Sequence, residues 1–101
     1  MLLDSRFDPG VVVITPLEAR VDVNVAPALL ATIIDRIDQG HRRILINMER
    51  VQCIDSSGMG ALVSAFKRLG AGGDMKVCSL SASVRSMFER THLNRVIAIA
   101  E

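Results

Sequence analysis

Short aliphatic runs alternate along this chain with segments whose apolar residues return at helical spacing, and few folds accept that pattern. The runs are Val11–Thr15, Ile44–Met48, Met75–Cys78 and Val96–Ile99. Between the first two, Leu30, Ile33, Ile34 and Ile37 fall at i, i+3, i+4 and i+7 and share one helix face, with Gly40 as terminator. Leu62, Ala65, Phe66 and Leu69 form a second stripe closed by Gly70, Gly72 and Gly73, and Ser81 can cap a third helix carrying Val84, Met87 and Phe88. Strands separated by helices cannot be joined by tight turns, so they pair in parallel through crossovers. Leu2-Leu3 and Val11–Thr15, divided by Asp8-Pro9-Gly10, instead read as an antiparallel hairpin. The expectation is a small α/β domain, with a mostly parallel central sheet behind an antiparallel first hairpin and helices packed against it.

At 101 residues there is room for one domain only. Half of the residues are hydrophobic, yet there is no Trp or Tyr and only three Phe, so the core must be aliphatic. The stripes and strand centres predict a core containing Ile14, Leu30, Ile33, Ile34, Ile37, Ile44, Ile46, Leu62, Phe66, Val77 and Phe88. Leu17–Asp22 reads as a loop, and Asn24 with Pro27 as the cap and first turn of the first helix. Ile44–Met48 shows no clean alternation, as expected of a strand covered on both faces.

The formal net charge is +1 with acids and bases interspersed. No Lys/Arg cluster or aromatic-basic interleave marks a nucleic-acid surface. No apolar run approaches the roughly 20 residues that span a bilayer, and MLLDSRFDPG lacks a basic region ahead of an apolar one, so a soluble cytoplasmic protein is expected. Cys53 and Cys78 lie in separate strand-like runs without metal-ligand spacing and read as buried free thiols. Neither a cofactor nor a metal is expected.

The stretch Cys53-Ile-Asp-Ser-Ser-Gly-Met-Gly-Ala-Leu62 carries the most information. It joins an apolar run to a helical stripe, and the bland reading makes Ser57 the helix cap while Asp55 favours the positive end of the dipole. That leaves Ser56 without a structural task, exposed where free backbone N–H groups tolerate an added anion. Enzyme templates fit poorly: a nucleophile elbow reads GxSxG, and a phosphate-cradling loop ends in Lys-Ser or Lys-Thr. His41 and His92 are the only histidines. A small hydrolase using Ser56 or Ser57 is therefore only a minor alternative, and both histidines read as surface residues.

Ile54-Asp-Ser-Ser-Gly-Met-Gly-Ala-Leu62, preceded by Ile44-Leu-Ile-Asn-Met48, resembles the phosphorylation loop of STAS domains in bacterial anti-sigma factor antagonists. That loop typically runs Asp-Ser-Ser/Thr-Gly-Leu-Gly before a helix, and Met59 for Leu keeps size and apolarity. Val12–Thr15 with Arg20-Val21-Asp22, and Met75–Cys78, resemble flanking parts of the same family, although Ala19-Arg20 stands where the family often has Gly-Glu. The resemblance implies a single STAS domain over residues 1–101, trimmed or minimal because a further helix usually follows the last strand. It implies no catalysis. Instead it implies binding to an anti-sigma factor that is a serine kinase, which phosphorylates Ser56, and a PP2C-type phosphatase that reverses the modification. Asp22, Asp55, Ser56, Ser57, Gly58 and Met59 would lie at the partner surface, with Ser57 as the cap. The domain would act as a monomer or weak dimer, without contact to nucleic acid or membrane. A scaffold or accessory STAS subunit, in a stress-sensing complex or a lipid transporter, is the alternative within the same fold.

Overall fold

A computed structural model describes the backbone of residues 3–8 and all of residues 10–100. Leu2 and Pro9, parts of the expected hairpin, lie outside the described residues. Strands β1 (Leu3–Asp8), β2 (Val11–Pro16), β4 (Arg43–Asn47), β6 (Asp74–Cys78) and β7 (Ala98–Ala100) form one sheet in the order β1-β2-β4-β6-β7. β1 is antiparallel to β2, and every later pairing is parallel. Gly10 accomplishes the hairpin turn at φ +74°, a region that costs glycine little.

Helices α1 (Ala26–Asp38), α2 (Ser56–Leu69) and α3 (Ala82–Arg90) connect successive parallel strands. Because those strands are added in one direction, right-handed crossovers place all three helices on the same face of the sheet. The register shows which residues they cover. Val12, Ile44 and Met75 stand side by side, as do Ile14, Ile46 and Val77, and all six are buried in one core with Leu29, Ile33, Leu62 and Phe88. On the opposite face Val13 is buried, its neighbour Leu45 is half-buried, and Lys76 and Ala98 beyond are exposed. β4 therefore alternates rather than being covered on both sides, which corrects the expectation for Ile44–Met48.

The first helix rotates slightly from its expected setting. Its buried residues are Ala26, Leu29, Ile33 and Ile37, while Leu30 and Ile34 are half-buried. Phe66 is likewise half-buried on the flank of α2. The stripe expected from Leu30 and Ile34 is thus the shoulder of the true face, because a four-residue apolar cluster spans too wide an arc to fix the centre. Ser81 does cap α3, accepting from the Val84 N–H at 3.2 Å. Gly40 and Gly70 close α1 and α2 at φ +102° and +75°. A Leu93–Arg95 3-10 turn precedes β7. No buried side-chain nitrogen or oxygen among the described residues lacks a hydrogen-bond partner.

Candidate functional site

Two very short strands build the site. β3 (Arg20–Val21) and β5 (Cys53–Ile54) pair in parallel as a separate two-stranded sheet, so Leu17–Asp22 is not wholly a loop as expected. The Gln52 N–H donates to the Ala19 carbonyl at 2.7 Å, and the Asp55 N–H to the Val21 carbonyl at 3.3 Å. Each strand is followed by an aspartate that starts a helix.

Asp22 opens α1. Its carbonyl accepts from the N–H groups of Val25 at 3.0 Å and Ala26 at 2.7 Å, and its Oδ1 accepts from the Asn24 N–H at 3.0 Å. This Asx turn displaces Asn24 from the capping role expected of it: Val25 occupies the cap position and makes no side-chain bond there.

Asp55 opens α2. It is extended at φ −108° and ψ −173°, and its Oδ1 accepts from the Gly58 N–H at 3.1 Å. The cap is therefore Asp55, not Ser57. The cause lies in the strand: pairing with β3 holds the chain extended up to Asp55, so the helix begins at Ser56. Both serines then occupy the first helical turn, where N–H groups have no intrahelical acceptor and the dipole is positive. Gly58 is buried, and a Cβ there would stand 2.5 Å from the Val21 carbonyl oxygen, so this glycine lets α2 dock on β3.

The two serines sit on opposite flanks of α2. Ser56 is exposed and borders a groove of about 240 Å³ shared with Met59, Gly60, Val63, Thr91 and Leu93. Ser57 is half-buried and faces α1, bordering a groove of about 310 Å³ with Val23, Ala26, Pro27 and Leu30. Beside them Arg20, Asp22, Cys53 and Asp55 surround a cleft of about 120 Å³. Asp22, Asp55, Ser56, Ser57 and Met59 thus share one end of the molecule, at the carboxyl ends of the short strands. Val23, 64 % exposed although apolar, belongs to the same surface. Thr91 and Leu93 join it from more than thirty residues away along the chain, which no local pattern in the sequence could announce.

Other chemistry is sparse. His41 follows α1 at the end of the sheet remote from the serines, and His92 does not line the Ser56 groove although both its neighbours do. Cys53 and Cys78 are free and half-buried. Among the described residues, no group of three or more His, Cys, Asp or Glu could hold a metal ion, and no helix is long and apolar enough to cross a membrane.

Comparison with known proteins agrees with this architecture. The STAS domain family matches residues 3–101. The anti-sigma-B factor antagonist of Bacillus subtilis is 31% identical over 85 residues, which cover 83% of this chain and 77% of that protein. The crystal structure of an anti-sigma factor antagonist from Mycobacterium paratuberculosis superposes with a TM-score of 0.88 at 20% identity, over 97% of this chain and 83% of that one. The Bacillus cell fate determinant SpoIIAA, solved in a phosphorylated form, gives a TM-score of 0.73 at 25% identity, over 99% of this chain and 92% of that one. The chain belongs to the STAS-domain family of anti-sigma factor antagonists.

Proposed function

We propose that this domain is a cytoplasmic binding switch, not an enzyme. Unmodified, it captures an anti-sigma factor that is also a serine kinase of the histidine-kinase-like ATPase fold, and the sigma factor held by that kinase is freed. Phosphorylation of Ser56 ends the capture, and a PP2C-type phosphatase restores it. The observation that carries this reading is the division of labour at the start of α2: Asp55 supplies the cap, so the exposed Ser56 hydroxyl has no structural duty. The phosphorylated state of a 25% identical relative supports it.

In the transfer, Ser56 Oγ forms a bond to the γ-phosphorus of the ATP held by the kinase as the bond to ADP breaks, and the hydroxyl proton passes to a base of the kinase. Ser57 is the poorer acceptor because α1 half-covers it. Asp22 and Asp55 share the cleft beside the serines with Arg20, and their two carboxylates against its one cation would favour a cationic group on the partner. A modified Ser56 gains about 1.5 to 2 negative charges next to those carboxylates, which repels the bound nucleotide diphosphate and weakens the contact. Incubation with the kinase and MgATP followed by tandem mass spectrometry tests the assignment: phosphate is expected on Ser56 and absent from Ser56→Ala. Phosphate on Ser57 would overturn it.

A further inference from the structure

The main sheet has two edges, and they differ in length. β7 spans only three residues, too short an edge to recruit another strand. β1 spans six, contains neither Pro nor Lys, and among the described residues no strand pairs with its outer side. Its outward backbone N–H and C=O groups therefore form a template for a further strand. The register with β2 sets Leu3, Ser5 and Phe7 beside Pro16, Ile14 and Val12, on the helix-covered face. Asp4, Arg6 and Asp8 stand beside Thr15, Val13 and Val11, on the open face. Charged residues thus recur at every second position in the order minus, plus, minus, and their effect on a second strand depends on the register it takes.

Self-pairing restricts those registers. Two copies joined antiparallel through the same edge are related by a two-fold axis normal to the sheet, so opposed residues share a face and one residue lies on the axis opposite itself. A centre on Asp4 or Arg6 sets that charge against its own kind, and the Arg6 centre also opposes Asp4 with Asp8. A centre on Leu3, Phe7 or Asp8 opposes at most three residues of β1. Only a centre on Ser5 opposes residues 3–7 without a like-charge pair: Asp4 meets Arg6 and Leu3 meets Phe7, each twice because of the symmetry. We infer that β1 is a self-association edge, and that two copies pair antiparallel about Ser5, joining their five-stranded sheets into one with both sets of helices on the same face. Five opposed residues make a small interface, so the dimer is weak and concentration-dependent. Ser56 and the residues around it take no part, so this contact stands apart from the proposed switch.

Sedimentation equilibrium of the full chain from micromolar to millimolar concentration tests the pairing, with Asp4→Arg, Arg6→Asp and the double exchange Asp4→Arg/Arg6→Asp run beside it. The unaltered chain should dimerise at the upper end. Each single exchange opposes like charges twice and should weaken dimerisation about tenfold or more, whereas the double exchange should restore it, because each opposed pair again carries opposite signs. Circular dichroism and the unfolding midpoint check that every variant is folded. Ser5→Cys adds a readout that does not depend on charge: opposed Cα atoms lie about 4.5–5.5 Å apart, within disulfide reach, so oxidation with diamide should link two copies through residue 5, located by peptide mass spectrometry. A chain that stays monomeric at millimolar concentration, or a dimer indifferent to the single exchanges, would overturn the inference. So would a folded double exchange that fails to restore the dimer, or links formed only through Cys53 or Cys78.

Discussion

At the scale of single residues, one aspartate decides how the Asp55-Ser56-Ser57-Gly58 segment is used. Removing the cap with Asp55→Ala should destabilise the domain by about 0.5–2 kcal/mol, whereas Ser57→Ala should change stability by no more than about 0.5 kcal/mol. Chemical denaturation of the two variants checks the pair, and the reverse order would return the cap to Ser57. The tetrapeptide contains three residues able to cap, so composition alone could not choose among them. Gly58 is constrained differently. A Cβ 2.5 Å from the Val21 carbonyl oxygen must push β3 or α2 aside, so Gly58→Ala should lose about 1–3 kcal/mol, whereas Gly60→Ala, inside α2 where a Cβ would meet nothing within 4 Å, should gain about 0.5–1 kcal/mol. Two glycines two residues apart in one helix thus make opposite predictions, visible in the same unfolding experiment.

At the scale of elements, the helices were legible from apolar periodicity, whereas β5 showed only as a strand-like run around Cys53 and β3 not at all. β3 and β5 are too short to show a period, and their pairing brings together segments more than thirty residues apart. Yet this pair sets where both α1 and α2 begin. The rotation of α1 has an energetic signature: Leu29→Ala should cost about 2–5 kcal/mol, and the half-buried Ile34→Ala clearly less. Equal losses in urea unfolding would restore the stripe read from Leu30, Ile33, Ile34 and Ile37. The sheet itself was read correctly in its mixture of one antiparallel and several parallel pairings, because strand–helix–strand order leaves little choice.

At the scale of the whole molecule, the proposed modification should act without refolding. Phosphate on Ser56 meets free N–H groups and the positive end of α2, so the modified domain should keep its circular dichroism spectrum and unfolding midpoint while losing kinase affinity. Ser56→Asp should lose only part of that affinity, since a carboxylate has less charge and fewer acceptor oxygens, and Ser56→Ala should retain it. Calorimetry beside circular dichroism decides; a phosphorylated domain that unfolds, or that binds as tightly as before, contradicts the mechanism. The sequence by itself determined the α/β class, the helices and the helix start at the Asp-Ser-Ser-Gly segment, because apolar period and turn chemistry are local properties of the chain. Only the tertiary structure decided that Asp55 caps α2, that Ser56 and Ser57 face different grooves, and that Thr91 and Leu93 complete the first of them. Those outcomes depend on a strand pairing and a helix packing between residues remote in sequence, and no local pattern encodes either.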